Sequence, residues 1–398
     1  MRKIWKWSLL SLGLIAVIVV GYYTYSILKF GQDLQKKPED SRFKSFYEDD
    51  VEPVYEPPKW EGKERVNILL LGGDSRGLSE HEAPRSDTML IASIDPVTKT
   101  ASLFSILRDS YVDIPGYGKD RINAALAYGG PDLAMKTVSE LTGLPIQYYV
   151  YADFQGFIKL VDAIGGVKYY VEKDMKYTDP TDDPMFNIDL EEGCQILDGN
   201  KALQYVRFRH DALSDFTRTE RQRNFLRAVA AKLQSTTSLL KLPSILKDIE
   251  PYIETNMNLD TMLRLGTLAF SVSSSTVEGF QLPPNELLSD MRVNGAAVLG
   301  VDPGQLREYV REVLERAANA SADNASGTES GGTSEGGTNG SADSAGSGGA
   351  ANNGVASGGT NAGGAGNGAP GNGISGNGAA AGASDSGTSQ EQKLPICE

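Results

Sequence analysis

The sequence predicts an α/β domain built on a mixed central β-sheet. Apolar runs of strand length are interleaved with longer segments of helical pattern, which is typical of a sheet covered by helices. Some neighbouring runs are joined by short turns, which favour antiparallel pairs, and others are separated by a helix, which favours parallel pairs. The sequence contains no internal repeat.

The first half of the domain is predicted to supply most of the sheet. Its predicted strands are residues 66–72, 88–94, 100–107, 146–151 and 166–171. Its predicted helices are residues 121–128, 131–141 and 153–164. Asp95-Pro96 begins a tight-turn sequence and so indicates a hairpin between the second and third strands. Pro131 suits the first turn of a helix.

The second half is predicted to be mainly helical after an irregular segment at residues 173–195. Thr217 and Glu220 have the spacing of a capping box, which makes residues 217–233 the clearest helix. The other predicted helices are residues 198–205, 238–252, 259–272 and 303–318. A further strand is predicted at residues 276–282.

The N-terminus is predicted to anchor the chain in a membrane. Residues 9–28 carry no charge, and 20 helical residues at ~1.5 Å each span a hydrocarbon layer of ~30 Å. Positive residues before this run favour a cytoplasmic N-terminus, which puts the rest of the chain outside. A cleaved signal peptide is the rival interpretation, but no small-x-small cleavage site follows the run.

These observations divide the chain into five parts. They are a cytoplasmic N-terminus (1–7), a transmembrane signal anchor in the cell membrane (8–28), an extracytoplasmic stalk (29–64), a globular domain (65–318) and a low-complexity tail (319–398). Residues 321–390 hold half of the 44 glycines and no Lys or Arg. Such a segment buries too little apolar surface to order itself, so we expect a disordered Gly/Ser/Asn-rich tail.

Composition excludes several functions. A net charge of −14 argues against binding to nucleic acid. The only histidines are His81 and His210, with no helical zinc motif, and neither a P-loop nor a Gly-x-Ser-x-Gly elbow is present. Cys194 lies in the predicted domain and Cys397 beyond the tail, so their pairing is possible but has no support in the sequence.

Charged residues are expected to converge at one edge of the sheet. If the first three strands run up, down and up, their ends deliver six charged side chains to one rim. These are Asp74, Arg76, Arg85, Asp87, Arg108 and Asp109. Mg²⁺ is commonly held by one or two carboxylates together with phosphate oxygens, which is compatible with Asp74 and Asp87 without being diagnostic.

A second cluster of charge surrounds the start of the 217–233 helix. It comprises Arg207, Arg209, Arg218, Arg221, Gln222 and Arg223. Arginine forks suit phosphate, and a helix N-terminus favours anions. Ordinary surface ion pairs are the alternative, since Asp211 and Asp215 are close by in the sequence. Spacing alone leaves both interpretations open.

Several motifs in one order resemble the LytR-CpsA-Psr family. They are NILLLGGDSR (67–76), RSDTMLIASID (85–95), RD (108–109), RINAA (121–125), DFQGF (153–157), VDAIGGV (161–167), LDGNKALQYVRFR (197–209) and RTERQ (218–222). The resemblance covers residues 65–235. The family often has Pro where this chain has Leu107.

The resemblance implies a three-layer α/β/α domain that holds a polyprenyl tail in an apolar groove. It implies a phosphotransferase that attaches teichoic acid or capsular polysaccharide from polyprenyl-pyrophosphate carriers to peptidoglycan. Asp74 and Asp87 would hold Mg²⁺, with Mn²⁺ as an alternative, and with Arg108 would be the catalytic residues. The pyrophosphate would be bound by Arg85, Arg108, Arg207, Arg209, Arg218, Arg221 and Gln222.

Two other functions stay open at this point. A polyprenyl-pyrophosphate phosphatase would use the same pocket, with water in place of the sugar acceptor. A regulatory wall protein would bind the lipid-linked polymer without catalysis.

Overall fold

The central feature of the structure is a mixed sheet. The computed structural model describes residues 2–34, 41–47, 54–74, 78, 82–180, 184–209, 215–273, 276–326 and 397. Within these residues the main sheet has six strands in the order β11-β6-β1-β2-β3-β12. They are β1 (Val66–Gly73), β2 (Ser86–Asp95), β3 (Thr100–Ile106), β6 (Tyr148–Asp153), β11 (Ile253–Thr255) and β12 (Val277–Leu282).

The strand directions confirm the predicted mixed sheet. β1, β2 and β3 are successively antiparallel, so they run up, down and up as the turn sequences predicted. β6 lies parallel to β1 and β12 lies parallel to β3. Gly73 at the upper end of β1 pairs with Asp153 at the upper end of β6, so the charged ends of these strands share one edge.

Helices cover both faces of the sheet, because successive strand residues point to opposite sides. Leu69 and Leu71 face one core, which is closed by α2 (Ala124–Thr142) and α9 (Pro303–Ser326). Ile68 faces a second core with α8 (Leu259–Ser271). A third core joins β7 (Val167–Val171) to α3 (Phe154–Ala163), α4 (Gly199–Arg207), α5 (Asp215–Leu233) and α7 (Leu242–Ile249).

The structure contains several short strands that the sequence did not predict. One four-stranded sheet contains β4 (Ser110–Ile114), β5 (Gly118–Arg121), β13 (Ser289–Val293) and β14 (Ala296–Gly300). The segment predicted as irregular contributes β8 (Met175–Tyr177), β9 (Ile188–Leu190) and β10 (Gly193–Leu197). Strands of three to five residues have too few positions for a period of two to be recognised.

Both helices predicted at 121–128 and 131–141 are present, as the two segments of α2 on either side of a kink at Gly129-Gly130. The start of the first needs correction, because Arg121 belongs to β5 and the helix begins only at Ala124. The predicted N-cap of the 217–233 helix needs correction as well. α5 begins at Asp215, so Thr217 lies inside the helix and is not its N-cap. Arg76, His81, His210, Asp211 and the tail at residues 327–396 lie outside the described residues.

The N-terminal helix α1 (Arg2–Leu34) extends beyond the predicted anchor. It is long and apolar enough to cross a membrane and is therefore a candidate single-pass anchor. The segment predicted as a stalk also packs on the domain. Phe43 is fully buried against Tyr151, with ring centroids 5.1 Å apart, and Trp60 is buried in the core beneath α8. The reason is hydrophobic burial: aromatic residues in a charged segment still bury their rings where a core accepts them.

A disulfide connects two distant parts of the chain. Cys194 in β10 is bonded to Cys397, which is 203 residues further on. The pairing that the sequence left open is therefore present in the structure.

We expect Phe43→Ala to destabilise the domain by about 3–5 kcal/mol, because it removes a buried ring and leaves a cavity. Chemical denaturation of the full chain in detergent measures this free energy of unfolding. Phe270 is 50% exposed, so Phe270→Ala is a matched control with an expected change of about 0.5 kcal/mol or less. Equal losses in both variants would contradict the packing of Phe43.

We also expect no cysteine to react with a thiol reagent in the unreduced, denatured chain. After reduction both cysteines, Cys194 and Cys397, should react. Mass spectrometry counts the modified thiols. Reaction of either cysteine before reduction would show that the pair is not formed.

Candidate active site

A cavity of about 580 Å³ lies within the described structure. It lies between one face of the main sheet and the helices α3, α4 and α5. Strand residues Leu70, Leu90 and Val150 form part of its wall, and Phe157 and Leu160 of α3 form another part. Leu70 is four residues below Asp74, which is about 13 Å along an extended strand. The cavity is therefore apolar towards the middle of the sheet and charged at the sheet's upper edge.

The predicted rim residues come together at this edge. Asp74 follows β1, Asp87 lies near the start of β2, Arg108 follows β3, and all three line the cavity. Arg108 Nη1 donates a hydrogen bond to Asp87 Oδ1 at 2.5 Å. Arg108 Nε also lies 3.6 Å from Asp109 Oδ2. The convergence follows from the up, down and up arrangement of the first three strands.

The second predicted cluster meets the first one at Asp87. Arg207, Arg209, Arg218 and Gln222 line the same cavity. Arg209 Nη2 lies 3.8 Å from Asp87 Oδ1, so this carboxylate faces guanidiniums from both clusters. α4 ends at Arg207 and carries the arginine segment to the rim, where the Arg207 guanidinium lies 5.2 Å from the ring centroids of both Phe154 and Phe186.

Two predicted ligands do not line the cavity. Arg85 is exposed beside the rim, where its charge acts on Asp120. Arg221 is buried, and its Nε donates to Glu172 Oε1 at 2.6 Å while its Nη1 donates to the Phe208 carbonyl at 3.1 Å. The reason is its position on α5, which directs Arg221 towards the end of β7 and away from the cavity. There it binds the backbone of the Arg207–Arg209 segment on the side away from the cavity. In this arrangement Arg221 supports the site and does not reach into it.

Asp215, which the sequence indicated only as a source of ordinary ion pairs, contacts arginines of both clusters. Its Oδ1 lies 2.6 Å from Arg218 Nη2 and 3.9 Å from Arg108 Nε. It therefore links the two arginine clusters at a second point. The i, i+3 spacing to Arg218 was the available signal, but the approach to Arg108 depends on the tertiary fold.

The arginines are held partly out of water with incomplete pairing. The Nε atoms of Arg108 and Arg218 are buried and have no hydrogen-bond partner among the described residues. Burial lowers the pKa of Arg209, and the neighbouring Arg108 charge lowers it further. Burial raises the pKa of Asp215, against the opposing effect of Arg108 and Arg209. Unsatisfied buried donors beside crowded like charges favour the binding of an anion.

The carboxylates at the rim fit a magnesium ion only in part. Among the described residues no group of three or more His, Cys, Asp or Glu side chains is arranged to hold a metal. Asp74 and Asp87 nevertheless line one cavity, and two carboxylates suffice for Mg²⁺ when phosphate oxygens complete its shell. The donor set is thus compatible with Mg²⁺ bound together with a phosphorylated ligand.

The fold and the cavity define a class of protein: an α/β domain in which an arginine-rich rim closes one end of an apolar groove. A sequence model of the LytR-CpsA-Psr family matches residues 24–314. The chain therefore belongs to the LytR-CpsA-Psr family, and its fold agrees with solved structures of that family.

Two relatives and one solved structure illustrate the similarity. The regulatory protein MsrR of Staphylococcus aureus is 31% identical over 65% of this chain and 76% of its own length. TagT of Bacillus subtilis, a polyisoprenyl-teichoic acid–peptidoglycan teichoic acid transferase, is 33% identical over 71% of this chain and 86% of its own length. A structure of TagT bound to LI-WTA has a TM-score of 0.52 and 30% identity, and covers 68% of this chain and 97% of that one.

We expect Asp215→Asn to make the free energy of unfolding less dependent on pH. The folded-state pKa of Asp215 lies above its ordinary value of 3.8, so the folded protein holds a proton that the unfolded chain has released. The stability that the protonated Asp215 contributes is fully present below the pKa of the unfolded chain. It is lost as the pH rises through the pKa of the folded state.

The measurement is the difference in unfolding free energy between the variant and the unaltered chain at several pH values from about 4 to about 7. That difference should shift in favour of the variant as the pH rises. Val97→Ala, at an exposed side chain that does not titrate, is the control and should give a constant difference. A constant difference for Asp215→Asn as well would refute the raised pKa.

Proposed function

We propose that the chain transfers an anionic glycopolymer, of teichoic acid or capsular polysaccharide type, from a polyprenyl-pyrophosphate carrier to peptidoglycan. The observation that carries this proposal is the continuity of the cavity from an apolar wall to an arginine rim. A carrier of this class has the same division, with a hydrocarbon tail attached to a doubly charged pair of phosphates. Family membership and the transferase activity that TagT is named for support the proposal.

The apolar part of the cavity suits the hydrocarbon tail. Its wall combines strand residues with Phe157, Leu160 and Leu203 of the covering helices. Removing isoprenoid surface from water contributes roughly 25 cal/mol per Å², without requiring any polar partner. A volume of about 580 Å³ accommodates several isoprene units, and the remainder of a long tail would extend beyond it.

The rim suits the pyrophosphate. Arg108, Arg207, Arg209 and Arg218 line the charged part of the cavity, and guanidinium forks bind phosphate oxygens in pairs. The buried Nε atoms of Arg108 and Arg218 would gain hydrogen bonds that they lack among the described residues. Phosphate oxygens would take over the neutralising role that Asp87 and Asp215 have in this structure.

The proposed reaction is phosphoryl transfer without a protein nucleophile. A sugar hydroxyl of peptidoglycan attacks the phosphorus that carries the glycopolymer, a new P–O bond forms, and the P–O bond to the polyprenyl phosphate breaks. The hydroxyl proton passes to a rim carboxylate, Asp74 or Asp87. The arginines stabilise the negative charge that develops on the leaving polyprenyl phosphate. Positioning and charge stabilisation then supply most of the rate.

Asp74 and Asp87 are also the residues that would hold Mg²⁺, with Mn²⁺ as an alternative. A divalent ion bound with the pyrophosphate would neutralise part of its charge. Arg108, through its contact with Asp87, would then set the position of that carboxylate.

We further propose that α1 spans the cell membrane with its N-terminus in the cytoplasm and the domain outside. The positive residues before the apolar run support this orientation. The Cys194–Cys397 disulfide supports it independently, since disulfides persist mainly in oxidising compartments outside the cytoplasm.

The test is to incubate the full chain in detergent with a synthetic polyprenyl-pyrophosphate glycan, Mg²⁺ and peptidoglycan fragments. A glycan joined to peptidoglycan through a phosphodiester, formed together with polyprenyl phosphate, is the expected product. Release of phosphorylated glycan without any acceptor would indicate a phosphatase instead. Binding of the glycan lipid with no product would indicate a non-catalytic wall protein.

We expect Arg108→Ala to reduce the transfer rate by about 10²-fold, by analogy with the loss of one transition-state donor. Arg311→Ala is the matched control, because Arg311 is an exposed arginine on α9 paired only with neighbours on its own helix among the described residues, and it should leave the rate unchanged. Single-turnover kinetics with saturating glycan lipid separate this effect from weaker binding. An undiminished rate for Arg108→Ala would remove Arg108 from the proposed mechanism.

A further inference from the structure

One face of the outer part of α1 is docked on the domain. After residue 22 the residues of α1 that are buried or half-buried recur at intervals of one and three, and the residues between them are exposed. They are Tyr23, Ser26, Ile27, Phe30, Gly31 and Leu34. This spacing places them along one side of a helix. Gly31 permits the close approach, because a Cβ there would collide with Leu259 at the start of α8.

The docked face overlaps the apolar run that is proposed to lie in the membrane. The run ends at Leu28 and is followed by Lys29, so Tyr23 lies about 8 Å inside its outer end. Tyr23 is nevertheless in contact with the domain: its hydroxyl donates to the Leu240 carbonyl at 2.5 Å. The Leu240 carbonyl, hydrogen-bonded to the Tyr23 hydroxyl, therefore lies at nearly the same depth in the bilayer as that hydroxyl.

The part of the domain that reaches this depth is apolar and exposed. Leu240 is 72% exposed and Leu239 is 36% exposed at the end of α6 (Thr236–Leu240). Lys241 and Lys247 follow and are exposed as well. Apolar side chains flanked by lysines are typical of segments that lie in the headgroup region, with the chains in lipid and the ammonium groups at the phosphates.

We infer that residues Leu239–Lys241, which we call the shoulder, are embedded in the interfacial layer of the outer leaflet of the cell membrane. The domain then lies directly on the bilayer. The occupant of the apolar surface is therefore phospholipid, because the surface continues directly from the membrane-anchoring helix. This inference rests on the proposed anchoring by α1, and it does not depend on the transfer reaction.

The contact between the shoulder and the membrane also orients the cavity. Phe30 of α1 packs against the same hydrophobic cluster as Phe157, Leu160 and Ile253, which line the apolar part of the cavity. The apolar part of the cavity thus lies on the side of the domain that α1 approaches. A lipid carrier in the bilayer would then have a path into the apolar part of the cavity.

The inference is tested with an environment-sensitive fluorophore attached to single introduced cysteines in the full chain. Leu240→Cys probes the shoulder. Val97→Cys is the matched control, because Val97 is 76% exposed in the β2–β3 turn, on the far half of the sheet from β11, which α1 contacts. Ile15→Cys, in the middle of α1, reports whether the helix is in the membrane at all. The native cysteines are disulfide-bonded and are not labelled.

The labelled chains are reconstituted in vesicles of phosphatidylethanolamine and phosphatidylglycerol that contain a phospholipid with a nitroxide, placed near the glycerol backbone for positions 240 and 97 and near the end of the acyl chain for position 15. We expect quenching at position 240 to exceed that at position 97 by about threefold or more, as for a group at the headgroup–acyl boundary. Quenching at 240 as weak as at 97 would overturn the inference. So would a blue-shifted but unquenched label at 240, which would mean that protein covers the shoulder.

The three positions also separate two kinds of failure. If position 15 is quenched and position 240 is not, the helix spans the membrane but the domain is not seated on it. If position 15 is not quenched either, the proposed anchoring itself is wrong. Labels at exposed positions remove no core packing, and a thermal unfolding scan of each labelled chain checks that the fold is retained.

Discussion

Charge at the rim is the constraint on which the rest of the site depends. A guanidinium withdrawn from water is stable only where an anion accompanies it, and four of them line one end of a single cavity. Asp87 and Asp215 each contact two of these arginines, so the cluster is neutralised by shared carboxylates and leaves some buried donors unsatisfied. A multivalent anion fits such an arrangement better than further protein carboxylates would. The apolar wall directly below then favours an anion that carries a hydrocarbon chain.

The sequence was sufficient for the parts of the structure that depend on local pattern. Long apolar runs identified β1, β2 and β3, and the turn lengths between them placed Asp74, Asp87 and Arg108 at one edge. The arginine segment after α4 was recognised from its composition. What the sequence could not supply was the phase of a helix relative to a distant surface. Arg218 and Arg221 are three residues apart and looked equivalent, yet one lines the cavity and the other is bonded to Glu172 and to a backbone carbonyl.

Contacts between remote segments were the other gap. Phe43 lies in a charged stretch after the anchor, and nothing local indicates that its ring is buried against Tyr151. The neighbouring Arg42 pairs with Asp153, which also caps α3 and lines the cavity. The residues that follow the anchor therefore belong to the domain and reach the edge of the site itself. Such contacts arise from the tertiary fold, and a single sequence contains no periodic signal for them.

The disulfide changes what the Gly-rich segment can do physically. With Cys397 bonded to β10, the chain that follows α9 is fixed to the domain at both of its ends. A tethered loop of this kind reaches at most about half as far as a free tail of equal contour length, and it cannot thread through a mesh by its end.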